Sequence, residues 1–119
     1  SVTSPPACGP RRDNGAYVNR GWSHVYSSGD QFIDVRVVAG IVFLSANLAR
    51  PVSGRAYGEL DISLRPRCSL YLPTFYYAAD DVMGLWVPGV SNGDNHIYAY
   101  DVAGKAAWFQ GVWSWPYEG

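Results

Sequence analysis

The stretch Val35-Arg36-Val37-Val38-Ala39-Gly40-Ile41-Val42-Phe43-Leu44-Ser45-Ala46-Asn47-Leu48 decides the fold. It reads as a strand, a tight Ala39-Gly40 turn and a second strand. The β-branched residues Val35, Val37, Ile41 and Val42 suit a pleated, half-buried surface. Gly40 is suited to the positive φ that a two-residue hairpin loop demands. A core hairpin carries no catalytic motif. Residue chemistry alone gives a β-domain rich in aromatic side chains.

Working outward, the same reading repeats. Upstream, Tyr17 to Val25 is a first short strand with Trp22 as its apolar anchor, and Ser27-Ser28-Gly29-Asp30 is a turn cluster. Gln31 to Val38 and Ile41 to Leu48 form the central hairpin, which Pro51 ends because it cannot donate to a ladder. Glu59 to Leu64 alternates, with Leu60, Ile62 and Leu64 on one side, and is expected as a half-buried strand. Cys68 to Leu72 and Thr74 to Ala79 are extended segments separated by Pro73, and Asp80-Asp81 is a turn. Val82 to Val87 is the next strand. Ser91-Asn92-Gly93-Asp94-Asn95 is the strongest turn signal in the chain. His96 to Val102 follows, with Ile97 and Ala99 on one face and His96, Tyr98 and Tyr100 on the other. Lys105 to Phe109 and Gly111 to Trp115 are the last strands. No stretch carries helical periodicity over three turns. The spacing predicts an all-β domain, an antiparallel β-sandwich or jelly roll of about eight short strands.

Composition sets the outer bounds. The 119 residues suffice for one domain. Residues 1–19, rich in Pro, Gly, Ser and Asn, read as an N-terminal arm or linker, and residues 20–119 as the β-sandwich head domain. The chain opens on Ser1 without an initiator methionine, which points to a fragment or a product cut from something longer. Charged residues make up 16%, below the roughly 25% of an average soluble domain. A surface so poor in charge is expected to be partly covered, most simply by oligomerisation. The net charge is −1 with a single lysine, Lys105, so no nucleic-acid footprint exists. No apolar run is long enough to span a membrane, and none is expected to insert in one. Cys8 and Cys68 are either bridged, worth about 4 kcal/mol at most in the chain-entropy model, or two free buried thiols. No CxxC or Cys/His cluster suggests zinc, no spacing suggests calcium, and no cofactor is expected.

The hairpin Val35 to Leu44 resembles a pattern found near the C-terminus of phage tail-tip and tail-fibre proteins: hydrophobic-Arg-x-hydrophobic-Gly-Gly-x-Val-x-Leu. Ala39 stands where that pattern has its first Gly. The family's Leu-Pro or Arg-Pro element is matched by Leu64-Arg65-Pro66 and again by Leu72-Pro73. Its strand, Gly turn and strand are matched by Ile97 to Ala106, and its closing Trp- or Tyr-rich strand by Gly111 to Tyr117. Together these elements span about residues 32–117 in the same order. The resemblance implies a receptor-binding head domain at a phage tail tip, hence on the virion and extracellular. Such heads are homotrimers that bind host cell-wall polysaccharide or teichoic acid. The N-terminal arm would then join it to tail or baseplate proteins.

Sugar recognition calls for aromatic faces against the apolar side of a pyranose, with carboxylates and amides beside them for the hydroxyls. The chain has 5 Trp and 9 Tyr, most of which belong to core or interface. The aromatic-beside-polar loops are the better signal. They nominate Tyr76, Tyr77, Asp80 and Asp81 at one turn, and Trp86, Asn92, Asp94 and His96 at another. Asp80, Asp81, Asn92 and Asp94 also fit plain turn chemistry. Paired carboxylates raise glycoside hydrolysis, but no acid sits in an apolar setting that would raise its pKa, and no nucleophile-elbow motif exists. The expectation is a binding protein without catalytic residues. Two alternatives remain: a carbohydrate-binding module of a larger secreted glycosidase, and a ligand-free structural trimerisation domain.

Overall fold

The computed structural model describes residues 18–76, 81–100 and 108–117, with the backbone alone at 74–76 and 81–83. Among them eight strands form two antiparallel four-stranded sheets packed as a sandwich. The strands are β1 (Arg20–Ser28), β2 (Gln31–Val38), β3 (Ile41–Ala49), β4 (Ala56–Glu59), β5 (Leu70–Tyr76), β6 (Asp81–Val87), β7 (His96–Tyr100) and β8 (Trp108–Pro116). The first sheet runs β1-β2-β3-β8 and the second β4-β7-β6-β5. The second is a Greek key: β5, β6 and β7 follow one another, and β4 returns beside β7. β1 meets β4 at one corner of the sandwich and β8 meets β5 at another.

The β2-β3 hairpin lies in the middle of the first sheet, as its sequence requires. Ile33, Val35 and Val37 of β2 and Val42, Leu44, Ala46 and Leu48 of β3 are buried, every second residue, against Leu85, Val87, Ile97 and Ala99 of the opposite sheet. Val38 pairs with Ile41, so the loop has two residues, and both have positive φ: 49° at Ala39 and 76° at Gly40. That is a type I′ turn, whose twist matches the strands it joins. The turn is clamped on both sides. Gly40 N donates to Val18 O, Tyr117 N donates to Gly40 O, and Ala39 N donates to Asn19 Oδ1. An L-residue at the first position is strained, and Ala39 is exposed. Ala39→Asn is therefore expected to stabilise the domain by about 0.5–1 kcal/mol, read as a higher urea midpoint with unchanged m-value.

Several expectations need correction. Glu59 to Leu64 is not one strand. β4 ends at Glu59, and Ile62–Leu64 is a 3₁₀ turn capped by Asp61, whose side chain accepts from the backbone and hydroxyl of Ser63. Leu60 and Leu64 are buried but Ile62 is exposed, because the local Asx chemistry competes with the ladder. Pro73 does not interrupt β5. It sits on an edge strand, paired with Gly84, where its missing N–H costs no ladder bond. Asp81 begins β6, paired with Tyr76, rather than lying in a turn. The last two strands are one, β8, running unbroken through Gly111. Trp22 is no core anchor; it is 51% exposed on the outer face. Cys68 is disulfide-bonded, and the chain's one other cysteine is Cys8, which lies outside the described residues.

Candidate functional site

The outer face of the second sheet carries the candidate site. Ile97 and Ala99 point inward on β7, so His96, Tyr98 and Tyr100 point outward, as alternation predicts. On β6, Leu85 and Val87 are buried and Trp86 faces out. Register then aligns a row across three strands: Tyr71 on β5 opposite Trp86 on β6, and Trp86 opposite Tyr98 on β7. The Trp86 and Tyr98 ring centres lie 5.9 Å apart, and Tyr98 stands 6.2 Å from Tyr100 and 6.2 Å from His96. All three pairs are tilted by 41–51°. Tyr71 and Tyr100 are exposed while Trp86 and Tyr98 are half-buried, so the row is an open aromatic shelf.

One end of the shelf is polar. Asp94 Oδ1 accepts from the backbone N–H of His96 at 3.0 Å and lies 3.0 Å from His96 Nδ1, and Asp94 Oδ2 accepts from the Tyr98 hydroxyl at 2.6 Å. The other ring nitrogen of His96 lies 3.2 Å from Glu59 Oε1. Glu59 reaches this place through a bulge. The β4-β7 register shifts between Ala56 and Glu59, and Gly58, at φ 83°, absorbs the extra residue. The hydrogen bond from Tyr98, then those from the backbone and ring of His96, hold the Asp94 carboxyl down from 3.8 to about 2. The same bond to Asp94 pushes the Tyr98 phenol up.

The loop before β7 is held from beneath. Arg65 is 7% exposed; its Nε donates to Leu60 O at 3.0 Å and its Nη1 to Asn92 O at 3.1 Å. Leu60 N donates to Asn95 O, Gly89 N to Ser69 Oγ, and Val90 N to Pro66 O. Asn92 spends its side-chain oxygen on the N–H of Asp94, an Asx turn.

The structure thus sorts the residues nominated from sequence. Trp86, Asp94 and His96 come together on one face with Tyr98 as their hub. Asn92 shapes the loop. Tyr77 and Asp80 lie outside the described residues, and Tyr76 and Asp81 are described by backbone alone, as an opposed pair near the end of the β5-β6 ladder. Sequence reasoning missed Glu59, Tyr71 and Tyr98. The alternation of β7 already put Tyr98 beside His96, so that signal was present. Glu59 had none, since its position depends on a bulge and a cross-strand register. Among the described residues no group of three His, Cys, Asp or Glu is placed to hold a metal ion.

Asp94 is ionised in the folded state down to about pH 2, whereas its unperturbed value is 3.8. Its folded pKa is depressed, so its stabilising contribution is complete above the unperturbed value and is lost as pH falls through about 2. A carboxyl chemical-shift titration is expected to place the Asp94 midpoint well below those of exposed aspartates. Asp94→Asn should in turn bring the Tyr98 phenol back down in an ultraviolet titration.

No protein-family model matches the chain, and no curated protein or solved structure does either.

Proposed function

We propose that this domain recognises saccharide without transforming it, and that the sugar lies along the Tyr71–Trp86–Tyr98 row. The observation that carries the reading is the row itself: aromatic faces in cross-strand register, open to solvent, with a carboxylate and an imidazole at one end. Rings supply the apolar contact, and the exposed Glu59 carboxylate and the imidazole supply hydrogen-bond partners for hydroxyls. Binding fits better than hydrolysis. A general acid needs a raised pKa, and Asp94 has the opposite, with both oxygens already engaged. The two carboxylates, Glu59 and Asp94, favour a neutral or amino sugar and disfavour phosphate-rich teichoic acid through like-charge repulsion.

The resemblance of Val35 to Leu44 and its companion motifs gives the setting: a receptor-binding head on a phage tail tip, homotrimeric, engaging host cell-wall polysaccharide, with the arm joined to tail or baseplate proteins. A second reading is a carbohydrate-binding module of a secreted glycosidase, which the completeness of the row within one chain favours. Both use the same shelf. Retention on insoluble cell-wall and plant polysaccharides, followed by calorimetry with soluble fragments, tests it. Trp86→Ala is expected to weaken binding tenfold or more, as truncation of a central aromatic anchor does, with the fold unchanged. A wild-type domain retained on none of these polymers would leave the ligand-free structural role.

A further inference from the structure

The aromatic shelf is lopsided in charge. At its β4 end the row closes on Ala56, an exposed residue in register with Tyr98, so a sugar ring stacked on Tyr98 meets only a methyl group beside it. Glu59 and His96 face each other further along the same two strands, with His96 about 6.6 Å from Tyr98 along β7. Asp94 stands beside them, ionised, with both oxygens committed to His96 and Tyr98. Glu59 is different. Its side chain is 63% exposed, its Oε1 lies 3.2 Å from His96 Nε2, and its Oε2 meets no partner among the described residues. The neighbouring arginines are occupied elsewhere. Arg55 lies 4.8 Å from the centre of the buried Tyr57 ring, and Arg65 holds the carbonyls of Leu60 and Asn92 beneath the loop. Two carboxylates and at most one imidazolium leave this end of the shelf net negative in either state of His96. Tyr98 adds to the effect. Its hydroxyl donates to the Asp94 carboxylate at 2.6 Å, which pushes electron density into the ring and makes its face more attractive to a cation.

Resting on the saccharide reading, we propose that the shelf selects an amino sugar with a free ammonium group, whose ring stacks over Tyr98 and whose ammonium meets Glu59. Any ligand that covers this end of the shelf strips water from the Glu59 carboxylate. A sugar hydroxyl replaces that water with a neutral donor and leaves the charge uncompensated. An ammonium supplies a charge-assisted bond, about twice as strong as a neutral one, and cancels the charge. It also gains from the electron-rich face of Tyr98. Acetylation of the nitrogen removes the cation, so the N-acetyl sugar forfeits both contributions while keeping the stacking.

Calorimetry with equally long oligomers of glucose, N-acetylglucosamine and glucosamine tests this, at about pH 6, below the ordinary pKa of an α-amino group. The glucosamine oligomer is expected to bind about five- to tenfold more tightly than the other two, as an exposed ion pair and a cation–π contact together allow. Glu59→Gln, an isosteric change on an exposed side chain, should bring the three affinities within about twofold of one another. In the wild type, raising the salt from about 0.05 to 0.5 M should narrow the preference, because the pair is open to screening. That readout decides the matter even for a variant that folds poorly. Trp86→Ala should weaken all three ligands, whereas diffuse attraction of a cationic oligomer to the protein would survive it. Equal affinities in the wild type overturn the assignment and leave the saccharide site standing. So does a preference that persists in Glu59→Gln, in high salt or in Trp86→Ala. Failure of all three oligomers to bind counts against the saccharide reading itself and takes this assignment with it.

Discussion

Replacing Arg65 by Leu is expected to destabilise the domain by about 3–5 kcal/mol, because charge-assisted hydrogen bonds are worth roughly 1.5–3 kcal/mol each. The guanidinium is 7% exposed and holds two carbonyls, those of Leu60 and Asn92. Leucine fills part of the volume but leaves both carbonyls without that donor. The effect spreads to the shelf. Asn92 sets the Asx turn that presents Asp94, and Asp94 orients His96 and Tyr98. Urea denaturation should show the loss of stability, and the Asp94 carboxyl midpoint should rise toward 3.8 as its partners loosen. Arg65→Lys keeps the charge but not the planar fork, so one amine cannot serve both carbonyls in the same geometry. It is expected to fall between wild type and leucine.

What the sequence made legible was periodic. Alternation through Gln31 to Leu48 announced the central hairpin, and Ala39-Gly40 announced its turn. The same period put His96, Tyr98 and Tyr100 on one face of β7. These are properties of neighbours, which a linear reading can see. The errors fell where a non-local or competing term won. The side chain of Asp61 turned Ile62–Leu64 into a 3₁₀ turn despite perfect alternation. Edge position excused Pro73 from its usual penalty, and edge position is a fact of topology. The site was half legible for the same reason. Trp86, Asp94 and His96 lie near one loop and were found together. Tyr71 and Glu59 come from strands far away in sequence, and only the register of β5 on β6 and of β4 on β7 brings them in.

Two glycines separate the fold from the proposed site. Gly58→Ala is expected to cost about 3–5 kcal/mol, the sum of a left-handed backbone at an L-residue and a steric conflict. Its φ is 83°, and a Cβ there would stand 2.2 Å from the carbonyl oxygen of Val25. That atom is backbone, so β1 must move away from β4. The bulge also sets Glu59 against His96, and the variant should lose that contact along with its stability. Gly84 is close to something too, but of another kind. A Cβ there would meet the Tyr71 ring at 2.5 Å, and that ring is 40% exposed. It can swing outward at little cost, so Gly84→Ala should change stability by less than about 1 kcal/mol. The ring would then leave the shelf, and on the proposed saccharide reading affinity should drop about fivefold or more. Glycine at 84 thus serves to let Tyr71 lie down on the sheet, whereas glycine at 58 serves to let two strands touch. Gly84→Ala binding sugar as well as wild type would remove Tyr71 from the site and leave Trp86 and Tyr98 as its whole aromatic surface.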